Sequence, residues 1–182
     1  MLRKISQLII RLWGWSIQGK WPDIKKLMVI VVPHTSNWDF PKGVLLRKAL
    51  GVKVNFVGKS SLFKPPLGLI MKALGGIPVD RSKSNNFVEA VVKLYNSRDS
   101  LNIQIAPEGT RNKVEKLKTG FYYIARGAEI PILMIKFDYA NKIFELAEPF
   151  FPTQDHVADL KFIDDYYRGT IGMVKERSYL VD

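Results

Sequence analysis

Apolar residues fall into two spacings along this chain. Short branched or aromatic runs at 28–32, 52–57, 101–105 and 130–135, the first stopped by Pro33 and the second set between Gly51 and Gly58, predict buried strands. A further short strand is expected at 75–81 and an edge strand at 142–146. Between and around them, apolar residues recur every three or four positions, which predicts helices at 2–17, 40–50, 85–96, from 119 through 125, and over 155–174. Strands alternating with helices predict one α/β domain: a mostly parallel central sheet flanked by helices, with an amphipathic helix at the amino end. The strand at 52–57 is expected to lie beside that at 28–32 through a right-handed crossover.

In the first helix Leu2, Ile5, Leu8, Ile9, Leu12, Trp13 and Ile17 share helical spacing with Arg3, Lys4 and Arg11 interleaved, and Trp15 and Trp21 follow. Two readings fit this pattern. The helix lies in a membrane interface, with indoles at headgroup depth and cations on anionic lipid, or it packs on the sheet like any other. The first reading divides the chain into an interface helix at 1–20 and a main domain at 21–182, with Trp21-Pro22-Asp23 as the break.

Length and charge narrow the classes. The 182 residues suffice for one core, and no apolar run approaches the roughly 20 residues that span a bilayer. The first 20 residues lack the apolar stretch and small-residue cleavage site of a secretory signal, so they are expected to be retained and the protein to be intracellular. Cysteine is absent, which removes thiol nucleophiles, disulfides and thiolate metal sites, and two histidines leave little for a metal centre. The net charge of +11 is uneven: residues 1–84 hold 15 basic and 3 acidic side chains, and residues 85–182 hold 13 and 14. An anionic partner for the first half follows, whether a phospholipid surface, a phosphorylated substrate or nucleic acid.

Candidate chemistry sits where the strand at 28–32 ends, at Pro33-His34-Thr35-Ser36-Asn37-Trp38-Asp39. Open α/β sheets place ligands at the carboxyl ends of their strands. On one regular helix His34 and Asp39 would point roughly 140° apart. If Thr35, Ser36 and Asn37 form a turn whose side chains cap a helix starting near Trp38, Asp39 can fold back to the imidazole. The carboxylate would then fix the tautomer and leave the second ring nitrogen to take a proton from a hydroxyl. The spacing alone equally allows a strand-end His34 and an Asp39 that is merely an acid at a helix start.

Two more strand ends carry polar groups: Gly75-Gly76-Ile77-Pro78-Val79-Asp80-Arg81 and Ala106-Pro107-Glu108-Gly109-Thr110-Arg111. Arginine at a strand end can grip phosphate with two N–H groups, although Arg81 can equally pair with Asp80 in a turn. Gly58-Lys59-Ser60 lacks the earlier glycine of a phosphate-binding loop, since position 53 is Lys53, and no nucleotide site is expected there. Lys113, Lys116 and Lys118 read as a solvated loop and His156 as an exposed helix residue.

His34 through Asp39, Gly75 through Arg81, Glu108-Gly109-Thr110-Arg111 and Ile130-Pro131-Ile132 together resemble the four ordered blocks of the glycerolipid acyltransferases, the lysophosphatidic-acid acyltransferase family, and in particular a compact bacterial branch. The resemblance covers about residues 10–140, departs at Ala106 where phenylalanine is common, and leaves residues 141–182 without a role. It implies a glycerol-3-phosphate acyltransferase-like fold and transfer of a fatty acyl group from acyl-CoA or acyl carrier protein to a lysophospholipid hydroxyl, 1-acylglycerol-3-phosphate above all, in phospholipid biosynthesis. His34 would be the general base and Asp39 its orienting acid. Arg81, Glu108, Gly109, Thr110 and Arg111 would hold the acceptor, Lys59 and Pro131 would lie toward the acyl donor, and backbone N–H groups near Trp38 would meet the thioester oxyanion. No acyl-enzyme, metal or cofactor is implied beyond the thioester co-substrate, and the place of action would be the cytoplasmic face of the inner membrane, peripherally.

Competing classes explain less. A non-catalytic lipid-binding protein of the membrane surface accounts for the first helix but not for His34 with Asp39. Nucleic-acid binding fits the charge, yet the aromatic residues are scattered through core-like strands. A serine hydrolase lacks its G-x-S-x-G elbow.

Overall fold

The computed structural model describes residues 2–79 and 84–179. Strand β2 (Lys26–Val32) explains the layering. Its side chains alternate between two faces. Met28, Ile30 and Val32 join one buried cluster, and Leu27, Val29 and Val31 join the other. Because both faces are covered, the run is continuously apolar rather than alternating with polar residues.

The remaining strands are β1 (Ser16–Gln18), β3 (Asn55–Lys59), β4 (Gly76–Val79), β5 (Leu101–Ile105), β6 (Ile132–Asp138) and β7 (Ile143–Leu146). Their order across the sheet is β1-β7-β6-β2-β5-β3-β4. β6, β2, β5, β3 and β4 run parallel, while β7 is antiparallel to β6 and carries β1 parallel to itself. Helices α1 (Leu2–Leu12) and α2 (Asp39–Leu50) cover one face through Ile10, Leu46 and Ala49. Helices α4 (Ser84–Asn96), α5 (Gly120–Gly127) and α6 (His156–Tyr167) cover the other through Val91, Tyr95, Phe121, Ile124, Ile163 and Tyr167. The short α3 (Leu67–Ala73) leads from β3 to β4 and leaves Leu67, Leu69 and Ile70 exposed.

Several expectations change. β5 lies between β2 and β3, so the second strand does not return beside the first. The strand at 142–146 is not the edge, because β1 pairs outside it. The first helix stops at Leu12: Gly14 takes φ +74°, a left-handed conformation suited to glycine, and Trp15 turns into the core against Phe144. Residues 16–18 therefore belong to the sheet, and the boundary expected at residue 20 does not separate a helix from the body. The last helix ends at Tyr167 instead of 174; Gly169, at φ +76°, turns the chain back across the sheet.

α1 runs antiparallel to α2. Arg3 and Gln7 donate to the Ala49 carbonyl at 3.3 and 3.0 Å, while Trp13 and Trp15 share a pocket with Pro41 and Lys42 at the other end of α2. Packing uses Ser6 and Ile10, so Leu2, Ile5, Leu8 and Leu12 face outward, with Leu12 76% exposed. Among the described residues no helix is long and apolar enough to cross a membrane.

The Tyr95 hydroxyl, wholly buried, donates to the Leu27 carbonyl at 2.7 Å and accepts the Ile103 N–H at 3.1 Å, pinning α4 to β2 and β5. Replacing Tyr95 with Phe leaves both backbone groups without this partner and should lower unfolding free energy by about 2 kcal/mol in urea titrations.

Candidate active site

Parallel strand ends assemble the site. Val32 is level with Lys136 and Ile30 with Ile105, so continuing the register puts Thr35 level with Tyr139 and Pro33 level with Glu108. Three adjacent strands thus deliver His34, Tyr139 and Glu108 to one edge.

His34 Nδ1 lies 3.1 Å from Asp39 Oδ2. The same oxygen accepts the Thr35 and Ser36 N–H groups, each at 2.9 Å, and Asp39 Oδ1 accepts the Tyr139 O–H at 2.5 Å. The turn from His34 is wound around one carboxylate. This reverses the expected capping: Asp39, first residue of α2, reaches back to the amides of Thr35 and Ser36, and only Ser36 among the three polar residues offers its side chain, accepting the Trp38 N–H at 3.2 Å. Asp39 N–H in turn donates to the Ser36 carbonyl at 3.3 Å. The Thr35, Ser36, Trp38 and Asp39 amides are thus engaged within the turn itself.

Asp39 is only 4% exposed. Burial pushes its carboxyl up, but the hydrogen bonds from His34, Tyr139 and Ser36 outweigh that and hold it below the usual carboxylate value. An ionised carboxylate only accepts, so the shared hydrogen belongs to Nδ1 and the Nε2 lone pair is left for a hydroxyl. The ring is a quarter exposed and lines a cavity of about 370 Å³.

That cavity passes beneath α2. Exposed Gly109, Thr110 and Arg111 stand at its mouth, and buried Val31 and Phe137 lie at its inner end. Phe40, Val44, Phe56 and Ile105 supply apolar wall, with Asn55, Gln104 and Arg47 as polar breaks. Arg47 is committed: its Nη1 donates to the Val54 and Leu74 carbonyls at 2.7 and 2.8 Å.

Glu108 does not stand at the mouth. It is 2% exposed, and both carboxylate oxygens accept the His34 backbone N–H, at 3.0 and 2.9 Å. Here it props the histidine, away from the mouth where the sequence places it. Pro131 is likewise displaced, because its carbonyl accepts the Met28 N–H at the amino ends of the strands, roughly 20 Å from His34 at about 3.3 Å per residue. Arg81 and the side chain of Lys59 lie outside the described residues. β4, which would present Arg81, is separated from β2 by two strands.

Two groups escaped the sequence reading. Tyr139 sits just after a core strand with no motif to flag it. Lys118, in a stretch whose composition predicts a solvated loop, donates its N–H to the Pro107 carbonyl at 2.9 Å and folds over Gly109, where an added Cβ would lie 2.8 Å from Nζ. A second cation therefore stands with Arg111 at the mouth. Among the described residues no His, Asp and Glu cluster is arranged to hold a metal.

Residues 16–137 match the family described as Acyltransferase, two thirds of the chain. The chain belongs to the acyltransferase family. A 1-acyl-sn-glycerol-3-phosphate acyltransferase of Haemophilus influenzae is 28% identical to this acyltransferase over 174 residues, covering 82% of this chain and 71% of that one. The human 1-acyl-sn-glycerol-3-phosphate acyltransferase beta is 30% identical over 103 residues, covering 54% of this chain and 37% of its own. The crystal structure of the LPA acyltransferase PlsC from Thermotoga maritima has the same fold, with a TM-score of 0.64 at 18% identity over 91% of this chain and 74% of that one.

Burial pushes the Glu108 carboxyl of this acyltransferase up from 4.5 to about 7, with the His34 N–H opposing. Between those values the folded protein keeps a proton that the unfolded chain releases, so stability falls as pH rises through that window and levels off above it. Wild type should lose roughly 3 kcal/mol between pH 4.5 and 7.5 from this group, and Glu108→Gln, which keeps an acceptor for the His34 N–H, should lack that slope in urea titrations.

Proposed function

We propose that this acyltransferase moves a fatty acyl group from acyl-CoA or acyl carrier protein to the hydroxyl of 1-acylglycerol-3-phosphate or a similar lysophospholipid. The observation that carries the reading is the pairing of His34 Nδ1 with buried Asp39, which leaves the opposite ring nitrogen at a cavity whose mouth holds Arg111. The relatives' names supply the substrate class.

In this reading His34 Nε2 accepts the acceptor's hydroxyl proton as that oxygen attacks the thioester carbonyl, and the imidazolium so formed returns the proton to the departing thiolate. Asp39 stabilises the imidazolium and keeps the ring turned. Arg111 and Lys118 take the acceptor's phosphate, a role for which two cations outside the low-dielectric interior are suited. The cavity beneath α2 takes acyl chain.

The outward apolar face of α1, continued by exposed Trp13 and by Trp38 next to Asp39, supports docking at an anionic membrane surface, with the cytoplasmic face of the inner membrane as the place of action. Basic Arg3, Lys4 and Arg11 flank that face.

His34→Ala should reduce acyl transfer at least a thousandfold with an unchanged melting temperature; undiminished turnover would overturn the assignment. Arg111→Ala should raise KM for a phosphorylated acceptor about tenfold while sparing kcat, and an unchanged KM would remove the arginine from the acceptor site. Leu8→Glu with Leu12→Glu, both at exposed positions, should abolish flotation with anionic liposomes without unfolding the protein. Retained flotation would mean that α1 is not the docking face.

A further inference from the structure

The β6–β7 turn holds a group that neither the motif blocks nor the family comparison assigns. We propose that Tyr139 is a positioning residue of the catalytic pair, fixing the Asp39 carboxylate and drawing off part of its charge, so that the phenolic hydroxyl sets the proton affinity of the His34 imidazole. This rests on His34 acting as the general base.

Saturation of one oxygen is the first support. Asp39 Oδ2 receives His34 Nδ1 and the Thr35 and Ser36 amides, and Oδ1 receives the Tyr139 hydroxyl at 2.5 Å. The carboxylate can neither rotate nor tilt without giving up one of these donors. A donor on Oδ1 also competes with the imidazole for the carboxylate's negative charge, a competition that is strong where water is nearly excluded.

The second support is that the phenol is held in place independently of Asp39. Its backbone N–H donates to the Ile171 carbonyl at 2.8 Å, and its ring meets Trp15 edge-on at 4.9 Å. The Lys42 ammonium lies over both rings, 4.1 Å from that of Tyr139 and 3.7 Å from that of Trp15. A cation on the ring face polarises the phenol and makes its O–H a better donor. The segment that anchors Tyr139 also secures the other side of the pair: Val174 N–H donates to Thr35 Oγ1 at 3.1 Å, and a Cβ on Gly172 would lie 2.7 Å from the Thr35 side chain. Residues 171–174 thereby clamp both the donor and the turn wound around its acceptor.

Burial, with Asp39 alongside, raises the Tyr139 hydroxyl far above its ordinary value, so it stays protonated and donates at every working pH. The other charged groups facing the pair are Glu108 beneath His34, Lys42 on α2, Lys142 in the β6–β7 turn, and Arg111 with Lys118 at the mouth. Burial brings Lys42 down to about 8 and pushes Glu108 up to about 7; both groups are common to wild type and variant, so they cancel from the difference between the two profiles.

Tyr139→Phe keeps the ring and removes the donor. Asp39 then presents more charge to the imidazole, which binds its proton more tightly, so the acid limb of kcat/KM should move to higher pH. At the pH optimum kcat should fall about tenfold with KM for the acceptor unchanged. 3-Fluorotyrosine incorporated at position 139, a stronger donor of nearly the same size, should move the limb the opposite way, and it tests the idea even if the Phe variant folds poorly. Phe144→Leu, which disturbs the stacked face of the same Trp15 at 4.5 Å, should lower the melting temperature and leave the limb in place. An acid limb that stays fixed in both position-139 proteins, while His34→Ala is inactive, would overturn the role of Tyr139 and spare the general base. Full activity of His34→Ala would overturn the general base itself.

Discussion

A carboxylate removed from water organises the functional end of this molecule. Asp39 is almost fully enclosed, and an ionised group in such a place is tolerated only when hydrogen bonds replace its hydration. Four donors do so, two from the backbone of its own turn, one from the imidazole and one from the turn that follows β6. The conformation of residues 34–39, the depth at which α2 begins and the orientation of the histidine ring are three aspects of that single requirement.

Strand register supplies the rest. Parallel pairing puts the ends of β6, β2 and β5 level with one another, so Asp39 and Tyr139, a hundred positions apart, meet without any loop having to reach far. Glu108 below His34 and Tyr139 beside Asp39 follow from the same ladder. A polar site built on strand ends is held by the sheet's own hydrogen bonds, while the cavity beside it is walled by whatever those strands turn toward α2.

Much of the frame was legible. The apolar runs at 101–105 and around 28 coincide with β5 and β2, and Gly, Pro and polar stops marked the ends that carry chemistry. What was not legible has physical causes. Nothing local says that β5 inserts between β2 and β3, since strand order depends on which crossover packs best. β1 is three residues long, too short for a period, and its helical-looking flank misled because Trp15 and Ile17 serve the sheet while Leu12 does not. Glu108 read as a surface ligand because a carboxylate beside Gly-Thr-Arg usually is one; only burial reveals that it props a backbone amide. Tyr139 and Lys118 carry no motif and become visible only through register and loop folding.

The pairing of β1 with β7 has a mechanical consequence. Three residues after α1 closes, the chain is stitched into the sheet, and along its length α1 lies against α2, the helix whose first residue is Asp39. The outward stripe of leucines and isoleucines is therefore no tether on a slack leash but one rigid flank of the same block. Whatever surface that flank rests upon, the imidazole stands above it at a constant height and bearing, as a tool bolted to its carriage meets the workpiece at a set depth.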